Sequence, residues 1–126
     1  MEASTVLLRI YLLGDIRLEW DGRVVALPRR ESVLRLFARL ALEPGRVWQR
    51  GPLAFGLWPD MPEADALANL RRHLYLLRTA LPEPARTWLT VSARAVTWNP
   101  GPAAWCDFFE LVSGAADEAS QARAAA

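Results

Sequence analysis

Residues 63–81, EADALANLRRHLYLLRTAL, constrain the fold more than any other stretch of this chain. Leu67, Leu70, Leu74, Leu77 and Leu81 recur at steps of three and four. That spacing puts apolar side chains on one face of an α-helix. Pro59 and Pro62 frame a turn before it, and Pro82 and Pro84 close it, because proline lacks the amide that a helix interior needs. A helix with a single apolar stripe must lay that stripe on a core, so the rest of the chain has to supply one.

Two shorter helices are readable upstream. Residues 29–42 carry Val33, Leu34, Leu36, Phe37, Leu40 and Ala41 on one face, and Pro44-Gly45 stops the pattern. Residues 50–58 (RGPLAFGLW) have Pro52 in their first turn, where a missing amide costs nothing. β-Runs lie on either side of this helical block. Residues 6–13 are apolar and rich in β-formers. Ile16, Leu18 and Trp20 alternate with charged residues, and Asp21-Gly22 is a hairpin signal before Val24, Val25 and Leu27. Residues 88–92 and 95–99 form a second hairpin around Ala93-Arg94. Residues 46–48 are too short for more than a β-bridge, and Pro100 to Ala104 read as a linker. Asp107 is a plausible N-cap for a last helix to about Gly114. The order is an antiparallel sheet, three helices and a hairpin. This is an α+β plan, that of a winged helix-turn-helix with an added N-terminal sheet. One domain is expected over 6–99, with 100–126 as linker and the start of a C-terminal helical segment.

Composition narrows the function. With 126 residues, 52% hydrophobic and 23% charged, the chain can bury a core and is not disordered throughout. All 15 basic residues are arginine. Arginine is the planar, bidentate cation suited to phosphates and guanine edges, although an absence of lysine equally fits a GC-rich genome. Residues 1–82 carry a balance of +3 and residues 83–126 one of −2, within an overall +1. No glycine-rich phosphate loop, GxSxG or HExxH pattern occurs. With one histidine and one cysteine, a zinc site or a Cys-His pair lacks ligands. We therefore expect no enzyme and no cofactor. Cys106 has no disulfide partner, and there is neither a basic signal-like start nor an apolar run long enough to span a bilayer. A cytoplasmic protein without a membrane partner is expected.

Four stretches taken together resemble a known family. They are LLGDIRLEWDG (12–22), LPRRESVLRLFARLAL (27–42), LWPDMPEADALANLRRHLYLLRTAL (57–81) and WLTVSARAVTWNPGPAAWCDFFEL (88–111). The chain resembles the OmpR/PhoB-type winged-helix DNA-binding domain, in the version found at the N-terminus of SARP-type bacterial transcriptional activators that carry a bacterial transcriptional activation domain (BTAD). The tip Ser92-Ala93-Arg94 departs from the Gly-x-Gly-Tyr turn usual in OmpR-type wings. The resemblance implies sequence-specific binding of double-stranded DNA in transcription regulation. It also implies contact with RNA polymerase and a homodimer on direct repeats as further partners. The rival reading is a winged-helix protein–protein interaction module without DNA binding. Low net charge and Leu76, expected on the exposed side of the long helix, favour that rival.

Within the first reading, the long helix 63–81 enters the major groove and the 88–99 hairpin is the wing. Opposite the leucine stripe lie Asp65, Ala68, Asn69, Arg72, Tyr75, Leu76 and Thr79. Asn69 and Arg72 are the expected base readers, since Asn matches adenine and Arg matches guanine. Arg71 and Arg78 are expected on the DNA backbone, together with Arg29, Arg30 and Arg50 near the starts of the first two helices. Arg94 at the hairpin tip is the wing residue, in the minor groove, where the potential is most negative. His73 is expected on a flank of the helix. Cys106 is expected as a small buried apolar residue, and the six tryptophans as packing between elements.

Overall fold

The computed structural model describes residues 6–114. Four strands form one sheet: β1 (Leu8–Tyr11), β2 (Arg17–Trp20), β3 (Arg23–Val25) and β7 (Ala104–Cys106), in the order β3-β2-β1-β7. The β2–β3 hairpin turns on Asp21 and Gly22, which take φ of 51° and 81°. Positive φ at both central residues is what a two-residue turn between twisted strands requires. Three strands form the other sheet: β4 (Val47–Gln49), β5 (Leu89–Val91) and β6 (Ala95–Trp98), in the order β4-β6-β5. The helix α1 (Glu31–Leu42) lies between β3 and β4 in sequence, and α2 (Arg50–Leu57), α3 (Glu63–Ala80) and a short α4 (Glu83–Arg86) lie between β4 and β5. Residues 107–114, here α5, are helical.

The architecture is α+β, as the sequence leads one to expect, with three additions, one of them the short α4. Residues 47–49 form a strand rather than an isolated bridge. Trp48 points inward and is 7% exposed, while Val47 and Gln49 face out. Burying one indole on the core side is enough to register β4 against β6, with Trp48 opposite Val96. The third addition is β7. The segment that reads as a linker runs parallel to β1, with Ala104, Trp105 and Cys106 opposite Leu8, Arg9 and Ile10. Asp107 then accepts the Leu12 amide at 2.9 Å and the Leu13 amide at 3.2 Å through its carboxylate. Proline and glycine at 100–102 hide this strand from a pattern search. They also supply the turn that brings it back to β1. The described part of the 100–126 segment is thus built onto the N-terminal sheet.

The core lies where α1, α2 and α3 meet the inner faces of both sheets. Val33, Leu36, Phe37 and Leu40 of α1 are fully buried with Leu70 and Leu77 of α3. Leu74 is 3% exposed. Phe37 and Trp98 meet edge-to-face at 5.6 Å, and Trp98 meets Trp88 at 6.1 Å. Leu34, expected inside, is only half-buried. Of the tryptophans, Trp48 and Trp98 are buried and Trp20, Trp58 and Trp88 pack against the core. Trp105 instead lies on the outer face of the first sheet, in register with Arg9. Cys106 is half-buried against the core, and burial pushes its thiol pKa up.

Candidate nucleic-acid interface

The long helix does not face the core as its leucines alone suggest. The residues it buries are Ala66, Leu70, His73, Leu74 and Leu77. Leu67 is half-buried, and Leu76 leans back onto the core instead of standing in solvent. At 3.6 residues per turn, this moves the buried face about a tenth of a turn from the leucine stripe, toward Ala66 and His73.

His73 is the reason. It is 3% exposed, the one buried polar side chain among the described residues. Its Nδ1 lies 2.7 Å from the Asn69 carbonyl and its Nε2 lies 2.7 Å from Ser32 Oγ. A carbonyl can only accept, so Nδ1 carries the proton and Nε2 accepts from the Ser32 hydroxyl. The ring also stands edge-to-face on Trp58, with centroids 4.9 Å apart. Both ring nitrogens are thus satisfied, which is what a buried imidazole needs. Burial holds its pKa below the usual 6.5, and the nearby charges of Arg30 and Arg72 push the same way, against the Asn69 hydrogen bond. Sequence spacing alone puts His73 on the flank, because a lone histidine reads as polar. The signal for burial is a hydroxyl on the neighbouring helix, visible only once α1 and α3 are paired.

The rotation decides which arginines share a surface. Arg71, Arg50 and Arg94 line one groove of about 610 Å³. Its other walls are Gln49, Gly51 and Pro52, the small Ala64 and Ala68 with Leu67 on α3, and Ala93 of the hairpin. Arg71 and Arg94 are exposed, and no hydrogen bond or ion pair holds either guanidinium among the described residues. Asn69 and Arg72 lie on another side of α3. Asn69 is half-buried, and its side-chain oxygen accepts Arg72 Nη2 at 2.6 Å. Tyr75 is 67% exposed and points away from the core.

Two other candidate arginines are engaged with backbone. Arg78 Nη2 donates to the Leu89 carbonyl at 2.9 Å, and Arg50 Nε donates to the Ser92 carbonyl at 2.8 Å. Arg29 and Arg30 are exposed just before α1 and are not among the residues that line the groove. The hairpin tip is closed by Ser92 rather than by glycine. Its amide donates to the Ala95 carbonyl at 2.9 Å, and its hydroxyl accepts the Ala95 amide at 3.0 Å. This serine turn is legible in the sequence, since serine hydroxyls bond their own backbone a few residues on.

Among the described residues, no group of three or more His, Cys, Asp or Glu is placed to hold a metal ion. No helix there is long and apolar enough to cross a membrane. No family model matches the chain, and no curated protein matches it. Among solved structures, it is similar to Mycobacterium tuberculosis EmbR in complex with a low-affinity phosphopeptide. The TM-score is 0.65 and the identity 22%, over 79% of this chain and 27% of the EmbR chain. The likeness is one of fold, and this chain spans about a quarter of that protein's length.

Proposed function

We propose that the chain is a winged-helix DNA-binding domain of a bacterial transcriptional regulator, with α3 as recognition helix and β5–β6 as wing. The observation that carries this reading is the groove between them. Two exposed arginines whose guanidiniums have no partner among the described residues, Arg71 and Arg94, line it beside a wall of small side chains, Ala64 and Ala68. Small residues let a phosphate backbone or a base edge approach the helix, and unpaired guanidiniums supply charge for it. The fold likeness to part of EmbR supports the winged-helix arrangement. The resemblance of residues 12–22, 27–42, 57–81 and 88–111 to SARP-type activators supports the regulatory role.

In this reading Arg71 and Arg94 contact the DNA backbone and minor groove, with Arg29 and Arg30 as outlying phosphate contacts. Asn69 and Arg72 act as a pair. The Asn69 side chain holds the Arg72 guanidinium, and Arg72 reads a base. The interaction-module reading loses its support at Leu76, whose side chain packs on the core. A mobility shift over a salt series tests the proposal. Affinity should fall by about 0.9 log units per log unit of salt for each phosphate neutralised. Arg71→Ala should weaken binding to all duplexes alike, while Arg72→Ala should cost about 1–3 kcal/mol on the preferred site only. Absence of duplex binding at low salt refutes the proposal.

A further inference from the structure

Arg50 and Arg78 sit at opposite ends of the β5–β6 hairpin, and each donates a guanidinium N–H to its backbone. At the tip, Arg50 Nε reaches the Ser92 carbonyl at 2.8 Å, and the Arg50 amide reaches the Arg94 carbonyl at 3.0 Å. At the base, Arg78 Nη2 reaches the Leu89 carbonyl at 2.9 Å. We propose that Arg50 and Arg78 are positioning residues, which fasten the hairpin to α2 and α3 so that Arg94 and Arg71 line one groove. The proposal rests on the DNA-binding reading above and changes the part these two arginines play in it.

The tip geometry makes the carbonyl available. In a closed two-residue turn the Ala95 amide would bond the Ser92 carbonyl. Here that amide goes to the Ser92 hydroxyl instead, at 3.0 Å, and the Ser92 carbonyl is left for Arg50. The base is equally specific. Asn99 donates to the Trp88 carbonyl at 2.9 Å, so Leu89, one residue on, turns its carbonyl to the outer edge of β5. Alternate residues of an antiparallel strand face alternate edges in this way. Arg78 occupies that edge. Strands of three and four residues make a marginal hairpin on their own. Among the described residues β5 pairs only with β6, so its outer edge is where such a hairpin would fray. A tip fixed before binding avoids part of the ordering cost of binding.

The test uses the whole chain and a duplex chosen by selection, with Arg50→Lys, Arg78→Lys and Arg94→Ala, singly and in pairs. Lysine keeps the charge and loses the flat fork of donors. A phosphate contact therefore tolerates Arg50→Lys, and a fastening residue does not. Arg50→Lys should lower affinity about tenfold with an unchanged salt slope, and cost little further in the Arg94→Ala background, because coupled residues are not additive. Hydrogen exchange of the amides at 89–98 should quicken in both lysine variants while the melting temperature hardly moves. Wild-type affinity in Arg50→Lys, or a full additive loss beside Arg94→Ala, overturns the inference. If the wild type binds no duplex, the proposed function fails. The exchange rates still decide whether the two arginines fasten the hairpin, and unchanged rates refute it.

Discussion

On the outer face of the four-stranded sheet, Arg9 lies over the Trp105 ring at 5.6 Å and Arg17 over the Tyr11 ring at 3.8 Å. Tyr11 and Trp105 meet edge-to-face at 5.4 Å, and Arg17 reaches Glu19 at 3.9 Å. Beside the three-stranded sheet, Arg71 and Arg94 meet no such partner among the described residues, although Arg46 before β4 pairs with Glu43 and stacks on Trp48 at 3.7 Å. The two regions carry the same residue type in different states. On the first sheet, aromatic faces and a carboxylate already hold Arg9 and Arg17. At the groove, Arg71 and Arg94 carry charge that no such partner holds among the described residues, and the proposed DNA contact would use it. Counting arginines along the chain therefore says little about where an anion would bind. What matters is which of them the fold leaves without a partner.

The contrast can be broken most severely at Trp98, the last residue of β6. Trp98 is 1% exposed and packs on Phe37 and Trp88. Trp98→Ala should cost about 3–5 kcal/mol by denaturant unfolding, and loosen the three-stranded sheet first. Leu74→Ala belongs in the same class, at about 2–5 kcal/mol. Asp107→Ala should be milder, at about 1–2 kcal/mol, since it strands the Leu12 and Leu13 amides at a partly exposed edge. That loss should spare DNA binding, because no residue of the four-stranded sheet lines the groove.

A third prediction concerns pH. The folded His73 resists protonation, while the unfolded ring takes a proton near 6.5. The unfolded state then binds more protons, so stability should fall as pH drops below about 6.5 and be level above it. His73→Gln should flatten that fall, read as melting temperature against pH. The smallest effect is on the paired face. Arg17→Ala should cost about 0.5 kcal/mol and leave DNA affinity and salt slope as they were.

Much of the fold is legible in the sequence because periodicity and turn residues act locally. The Asp21-Gly22 hairpin, the α1 face and the proline-bounded α3 all follow from residues within a few positions of one another. What is not legible depends on contacts distant in sequence. β7 pairs with a strand 96 positions earlier, and nothing in Ala104-Trp105-Cys106 announces its partner. The buried face of α3 includes His73, which meets Ser32 of the neighbouring helix, so the leucine stripe gives the right helix turned slightly wrong. Asn69 and Arg72 are neighbours on the helix as the spacing requires, and Arg71, one residue away, lines the groove with Arg94.

The most direct measurement is an amide chemical-shift titration of the whole chain with a duplex at low salt. The account expects shifts at residues 64–72 of α3 and 92–95 of the hairpin, reversed by added salt, with the amides of β1, β2 and β3 unmoved. Shifts confined to the four-stranded sheet, or none at duplex excess, would contradict it.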